Sequence, residues 1–181
     1  MSIGKNYLET AIRRLKYYKD LGDKTFVQLN EWDFHYQPND ESNSIATIIQ
    51  HMAGNMLSRW TNFLTEDGEK EWRKRDEEFE THQYTKLELI AEWEKGWTCL
   101  LDTLNSLKKK DLKKMVTIRQ EPLTVIDAIN RQLAHYPYHI GQIIFLAKII
   151  KNKNWQNLSI PKGNSLAYNQ SDEVKDPAKK Y

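Results

Sequence analysis

An all-α fold, a four-helix bundle with a short β-like segment ahead of its last long helix, is what this sequence predicts. Apolar residues recur at helical spacing in four long runs. Seven glycines and five prolines in 181 residues are too few for the many turns of a β fold. The chain shows no internal repeat, and the length suits one packed domain. Residues 1–169 are expected to form the bundle and residues 170–181 a flexible C-terminal tail.

The first run spans about Asn6–Leu29, with Tyr7, Leu8, Ala11, Ile12, Leu15 and Tyr18 on one stripe and a weak spot at Gly22. Turn chemistry around Pro38 breaks it. The second run opens at Asn43 or Ser44, either of which can cap a helix, and carries Ile45, Ile48, Ile49, Met52, Met56, Trp60, Phe63 and Leu64. Thr65–Gln83 is charged and reads as a long excursion with at most a helical turn. The third run, Lys86–Lys108, offers Leu87, Ile90, Trp93, Trp97, Leu100 and Leu104. A β-like piece at Met115–Ile118 and a turn near Pro122 follow. Thr124 and Asp127 then match a capping box, and the fourth stripe runs from Ile126 through Ile140 to Ala147.

The bulk chemistry excludes some function classes. Lys and Arg number 27 and Asp and Glu 25, and the signs are mixed along the chain, so no electrostatic case for nucleic acid arises. No apolar run approaches the roughly 20 residues that span a bilayer. One cysteine, Cys99, cannot form an internal disulfide, which fits a reducing compartment. A cytoplasmic protein without a membrane or nucleic-acid partner is the expectation.

The candidate chemistry lies in the histidines. His135 and His139 are four residues apart, so they project from one helix face, with Gln142 a turn later. That spacing suits two ligands of one ion, and it also suits two polar residues at a core edge. A third histidine shifts the balance. Thr47, His51, Gly54, Asn55 and Ser58 form a polar seam beside the apolar stripe of the second run. Such a seam makes sense if it lines a cavity. His51, His135 and His139 together would hold a divalent metal ion and leave coordination positions open for water or substrate. Thr47, Asn55, Ser58 and Gln142 are the expected surroundings. Pro137 removes an amide from the helix between the two late histidines and is expected to bend it there. His35 and His82 read as ordinary loop histidines.

Two segments, "NSIATIIQHMAGNMLSRWTNFLTEDGEKEWRKRDEEFE" and "TVIDAINRQLAHYPYHIGQIIFLAKII", resemble the DinB-like superfamily, and more closely its DUF1572 branch. The resemblance runs from the first helix to about Asn169. It implies a four-helix bundle of DinB type, a divalent metal, zinc or nickel, on His51, His135 and His139, and a homodimer. Related activities are bacillithiol- or mycothiol-dependent S-transfer, isomerisation and hydrolysis. Pro137 stands where many relatives carry an ordinary helix former.

Three functions compete. A bound metal can lower the pKa of an incoming low-molecular-weight thiol for S-transfer to a small-molecule substrate, with Arg59, and more remotely Arg73 and Arg75, meeting its carboxylates. Cys99, set among Trp97 and Leu100, reads as core rather than nucleophile. A metal-dependent hydrolase needs a general base, for which no carboxylate is obviously placed and Glu31 or Asp33, reaching in from the first loop, are the candidates. A non-catalytic metal- or ligand-binding stress-response protein is the third.

Overall fold

The computed structural model describes residues 2–80 and 82–181; Met1 and Thr81, both inside the expected bundle region 1–169, lie outside the described residues. Four long helices dominate: α1 (Ile3–Val27), α2 (Ile45–Trp60), α3 (Lys86–Ser106) and α4 (Val125–Lys151). Between α3 and α4 stands a two-stranded antiparallel hairpin, β1 (Met115–Ile118) and β2 (Glu121–Thr124), and a short helix α5 (Ser165–Gln170) follows α4. The fold is all-α with a short β segment. No helix among the described residues is long and apolar enough to cross a membrane.

Local chemistry sets the helix starts. Ser44 Oγ accepts from the Thr47 amide at 3.1 Å and caps α2. Thr85 and Glu88 exchange bonds in a complete capping box at α3. Thr124 Oγ1 accepts from the Asp127 amide at 3.2 Å and caps α4. The stop of α2 is equally local. Asn62 takes a left-handed φ of 50°, and its carbonyl accepts from the amides of Thr65 and Glu66. Phe63 therefore leaves the helix, yet it stays buried, its ring 4.5 Å from that of Trp60.

α2 packs chiefly on α3 and α1 on α4; α1–α3 and α2–α4 contacts close the bundle. Two glycines let helices approach. α1 runs straight through Gly22, where a Cβ would strike the Trp93 indole, so the apparent weak spot is a seat for that ring. A Cβ on Gly96 would come within 3.0 Å of the Ala53 Cα on α2. One expected core position falls elsewhere: Leu87 is 79% exposed, and Leu89, two residues on and on the other side of α3, is buried instead.

The hairpin turns at Arg119–Gln120, both with positive φ, and Pro122 sits within β2 opposite Thr117. A two-residue turn of this hand normally takes Asn-Gly. Here Asp67, from the excursion between α2 and α3, supplies the missing support by accepting from the Arg119 and Gln120 amides at 2.9 and 2.8 Å. Burial opposes the charge on Asp67, but these amides and that of Glu69 hold its carboxyl down at about 2. The last residues fold back on α1: Ala178 is buried there, and Arg14 pairs with Asp176 at 3.2 Å.

The two kinds of glycine on these helices should respond oppositely to substitution. Gly96→Val meets backbone that cannot yield and should lower unfolding free energy by about 2 kcal/mol or more. Gly141 has open space around its Cα, so Gly141→Ala should raise it by about 0.5–1 kcal/mol. Urea unfolding midpoints of both variants check this.

Candidate metal centre

α2 and α4 bring three imidazoles to one point. His51, buried on α2, places its Nε2 3.4 Å from His135 Nε2 on α4, and His139 Nε2 lies 3.0 Å from the same atom. One ligand atom from each residue falls within 4.8 Å of the other two, so the cluster could hold a metal ion. Two nitrogens each about 2.0–2.1 Å from a tetrahedral ion sit roughly 3.3 Å apart, so the spacing suits a shared centre.

What the other ring nitrogens do decides the fit. His51 Nδ1 donates to Glu78 Oε2 at 3.0 Å. Burial favours the neutral acid at Glu78, but bonds from His51 and Arg73 outweigh it and keep the carboxyl ionised, below its ordinary range. His135 Nδ1 donates to Gln132 Oε1 at 3.2 Å, and His139 Nδ1 to Gln142 Oε1 at 2.8 Å. Each outward nitrogen thus carries the ring's proton. The three inward Nε2 atoms present lone pairs to one another, an arrangement that repels unless a cation accepts them. A proton is a poor substitute. Burial, then the neighbouring imidazoles and Arg131 and Arg59, push His135 down to about 3. Burial also lowers His139, against the bond from Gln142. The donor set therefore fits a borderline divalent ion such as zinc or nickel.

Packing fixes the rings. Tyr136, fully buried between the two α4 histidines in sequence, accepts from Trp60 Nε1 at 3.0 Å and donates to Asn55 Oδ1 at 3.1 Å, and burial raises its pKa. Phe79 lies against His51, ring centroids 5.0 Å apart. Gly54 makes room for the Glu78 carboxylate. A Cβ there would collide with it, so the gap is filled by the group that orients His51.

Beside the imidazoles opens a cavity of about 250 Å³ lined by His51, His135, Asn55, Gln132 and five arginines, Arg59 among them. The remaining expected surroundings are engaged as follows. Ser58 Oγ donates to the Gly68 carbonyl at 2.8 Å and accepts from the Lys70 amide, which ties the excursion to α2. Thr47 bonds to the Ser44 cap. Arg59 donates to the Gly68 carbonyl and to Glu69. Cys99 faces Thr61 at 3.6 Å and packs on the core. His35 donates to the Tyr84 carbonyl and His82 to that of Glu77. Glu31 and Asp33 are taken up by the Lys86 and Asn30 amides. The group that sequence reasoning missed is Glu78. Its segment, "RDEEFE", looks like any solvated acidic stretch; the only trace of its role is Gly54, one turn after His51.

A helical bundle with a partly buried three-imidazole cluster opening onto a polar cavity defines a candidate metalloprotein. The family model described as "Protein of unknown function (DUF1572)" matches residues 2–164, and the chain belongs to that family. No curated protein matches the chain.

Glu78→Gln should weaken zinc binding by about 10–100-fold, because the outer partner of a ligating histidine sets its tautomer. Gly54→Ala, which displaces the same carboxylate, should do likewise. Competition with a chromophoric chelator measures both. The metal-free protein should also lose stability as pH falls. The folded pKa values of His135 and His139 lie below the free-imidazole value of 6.5, so the unfolded chain binds protons first. Stability is full above about 6.5 and declines as pH drops toward about 3. The contribution of Glu78, whose carboxyl is held below its ordinary range, is intact above that range and is lost only as pH falls below it. Urea midpoints at pH 7 and pH 5, in chelator, should differ less in His135→Ala than in wild type.

Proposed function

We propose that this protein is a metal-dependent thiol S-transferase, using a low-molecular-weight thiol of bacillithiol type. The observation that carries the reading is the convergence of three unprotonated Nε2 atoms, from His51, His135 and His139, at the edge of an open cavity. Zinc or nickel bound to them supplies a Lewis acid that makes a thiol ionise near neutral pH. The protein's own part is orientation. Glu78, Gln132 and Gln142 fix the three tautomers, and the Trp60–Tyr136–Asn55 chain fixes the wall.

The cavity wall favours thiol transfer over hydrolysis. Among the described residues that line it, none is a carboxylate. Glu78 lies behind His51, with both oxygens bound by Arg73 at 2.7 and 2.8 Å. It is a poor general base, as hydrolysis would require. An incoming thiol brings its own nucleophile, and Cys99 supplies none to the cavity. A homodimer, which the DinB-like resemblance implies, belongs to the same reading; the exposed Tyr138, Phe145 and Ile149 along α4 are the face that supports it.

The zinc- or nickel-loaded protein should conjugate bacillithiol to monochlorobimane, with a new carbon–sulfur bond formed and chloride released. The rate should fall to background with chelator and in His51→Ala or His135→Ala. Loaded protein that hydrolyses activated esters but forms no thioether would overturn this reading.

A further inference from the structure

Five guanidinium groups face the cavity beside the imidazoles: Arg59 from α2, Arg73 and Arg75 from the excursion, Arg119 from the hairpin turn and Arg131 from α4. Four separate segments of chain thus deliver like charge to one small volume. Two carboxylates stand behind them. Glu69 accepts from Arg59 at 3.1 Å and Arg119 at 2.9 Å, and Glu78 is taken by Arg73 and His51. Arg75 sits over the Phe79 ring, 5.0 Å from its centroid, and its one carboxylate partner among the described residues is the fully exposed Asp76, at 3.7 Å. The ion pairs of these four leave Arg131 out.

Unpaired donors point the same way. Arg59 and Arg73 are 5% and 9% exposed, yet among the described residues the buried Arg59 Nε has no hydrogen-bond acceptor, and the buried Arg73 Nη1 has only Glu69 Oε1 near it, at 3.9 Å and beyond hydrogen-bond reach. A buried donor on a charged group is costly to leave unpaired, and both belong to residues of this wall. Burial and the nearby charges of Arg73 and Arg119 lower the Arg59 pKa in spite of Glu69, as crowded positive charge requires. Asn55 and Gln132 add neutral amides to the lining.

We propose that this cavity is an anchoring subsite for a dianionic oxygen terminus on the substrate, a dicarboxylate or a phosphate monoester, held by the arginines while the reacting end meets the imidazole cluster. The proposal rests on the imidazole cluster being the reaction centre, but the anion is held by the arginines and not by a metal. Planar forks suit carboxylate and phosphate oxygens in pairs. Contributions from four chain segments would make the subsite selective for two charges over one.

The test is calorimetric titration of metal-free full-length protein, in chelator at low ionic strength, with succinate and separately with inorganic phosphate. Acetate is the monoanionic control. At least one dianion should bind saturably at one site per chain, more tightly than acetate, and the tighter arm identifies the class. Arg131→Gln and Arg75→Gln alter exposed side chains and should each cut affinity by at least about tenfold. Gly141→Ala, which lies outside the cavity lining, should leave it within about twofold, and added salt should weaken it. No saturable binding of either dianion overturns the proposal. So does binding that is indifferent to both arginine variants, or binding that needs metal. Intact anion binding without thiol transfer would sink the proposed activity and leave the subsite standing.

Discussion

The constraint on which the site depends is that three neutral imidazoles must turn their lone pairs toward one another and stay there. Left free, any of these rings would rotate or take up a proton. Three outward hydrogen bonds prevent the first, with Glu78, Gln132 and Gln142 each holding one Nδ1. Burial and mutual proximity prevent the second at His135. Two of the outward partners lie on α4 itself, three residues from the ring each serves, so a single helix turn sets their geometry. Glu78 is different. It comes from a single 3-10 turn, Asp76–Phe79, in the excursion and reaches His51 only because Gly54 has no side chain and Arg73 grips its other face. The third ring is thus oriented by tertiary structure, and the cluster is only as well defined as the excursion that carries Glu78.

That excursion is held by backbone chemistry rather than by a helix. Ser58 and Arg59 of α2 fix the Gly68 carbonyl, the Gly68 amide donates to Thr117 of β1 at 2.8 Å, and Asp67 caps the hairpin turn. Hairpin and excursion stabilise each other: the turn has positive φ at two residues that do not favour it, and the charged excursion has few apolar side chains to bury. The same stitching positions Arg119, Glu69 and Arg59 on one wall. Structural support and the polar lining of the cavity are therefore one set of contacts.

This explains what was legible in the sequence and what was not. The four helices were legible because each has an apolar stripe, and two of them show a side-chain cap, Ser44 or Thr124, at the start; the capping box at Thr85 emerged only in the structure. The imidazole cluster was legible because i,i+4 spacing fixes a shared face and the seam around His51 had no apolar explanation. Gly22 misled because a glycine that admits an indole and one that ends a helix look alike in one dimension. Leu87 misled because, at the first turn of α3, nothing local separates it from Leu89. Glu78 could not be read, and of the five-arginine wall the sequence suggested Arg59, Arg73 and Arg75 but gave no sign of Arg119 and Arg131. Their residues are spread from Arg59 to Arg131, and charged residues in irregular chain look solvated until the tertiary fold closes over them.

Pro137 is the remaining test of how α4 tolerates its site. A proline inside a helix removes one amide bond and costs roughly 3 kcal/mol or more. Yet α4 continues unbroken from Val125 to Lys151, and His135 and His139 keep a shared face, their rings edge-to-face with centroids 4.7 Å apart. The helix is held on both sides of the proline by side chains with no exposure, Tyr136 before it and Ile140 and Ile143 after it. Tyr136 is doubly fixed, by packing and by its bonds to Trp60 and Asn55. Tertiary burial therefore offsets the local defect, which is the usual way a propensity is overridden. The consequence for the site is that the geometry of the two α4 imidazoles depends on the core beneath them more than on the helix that carries them. Asn55 belongs both to that core, through Tyr136, and to the cavity wall, so packing and binding surface meet in one side chain.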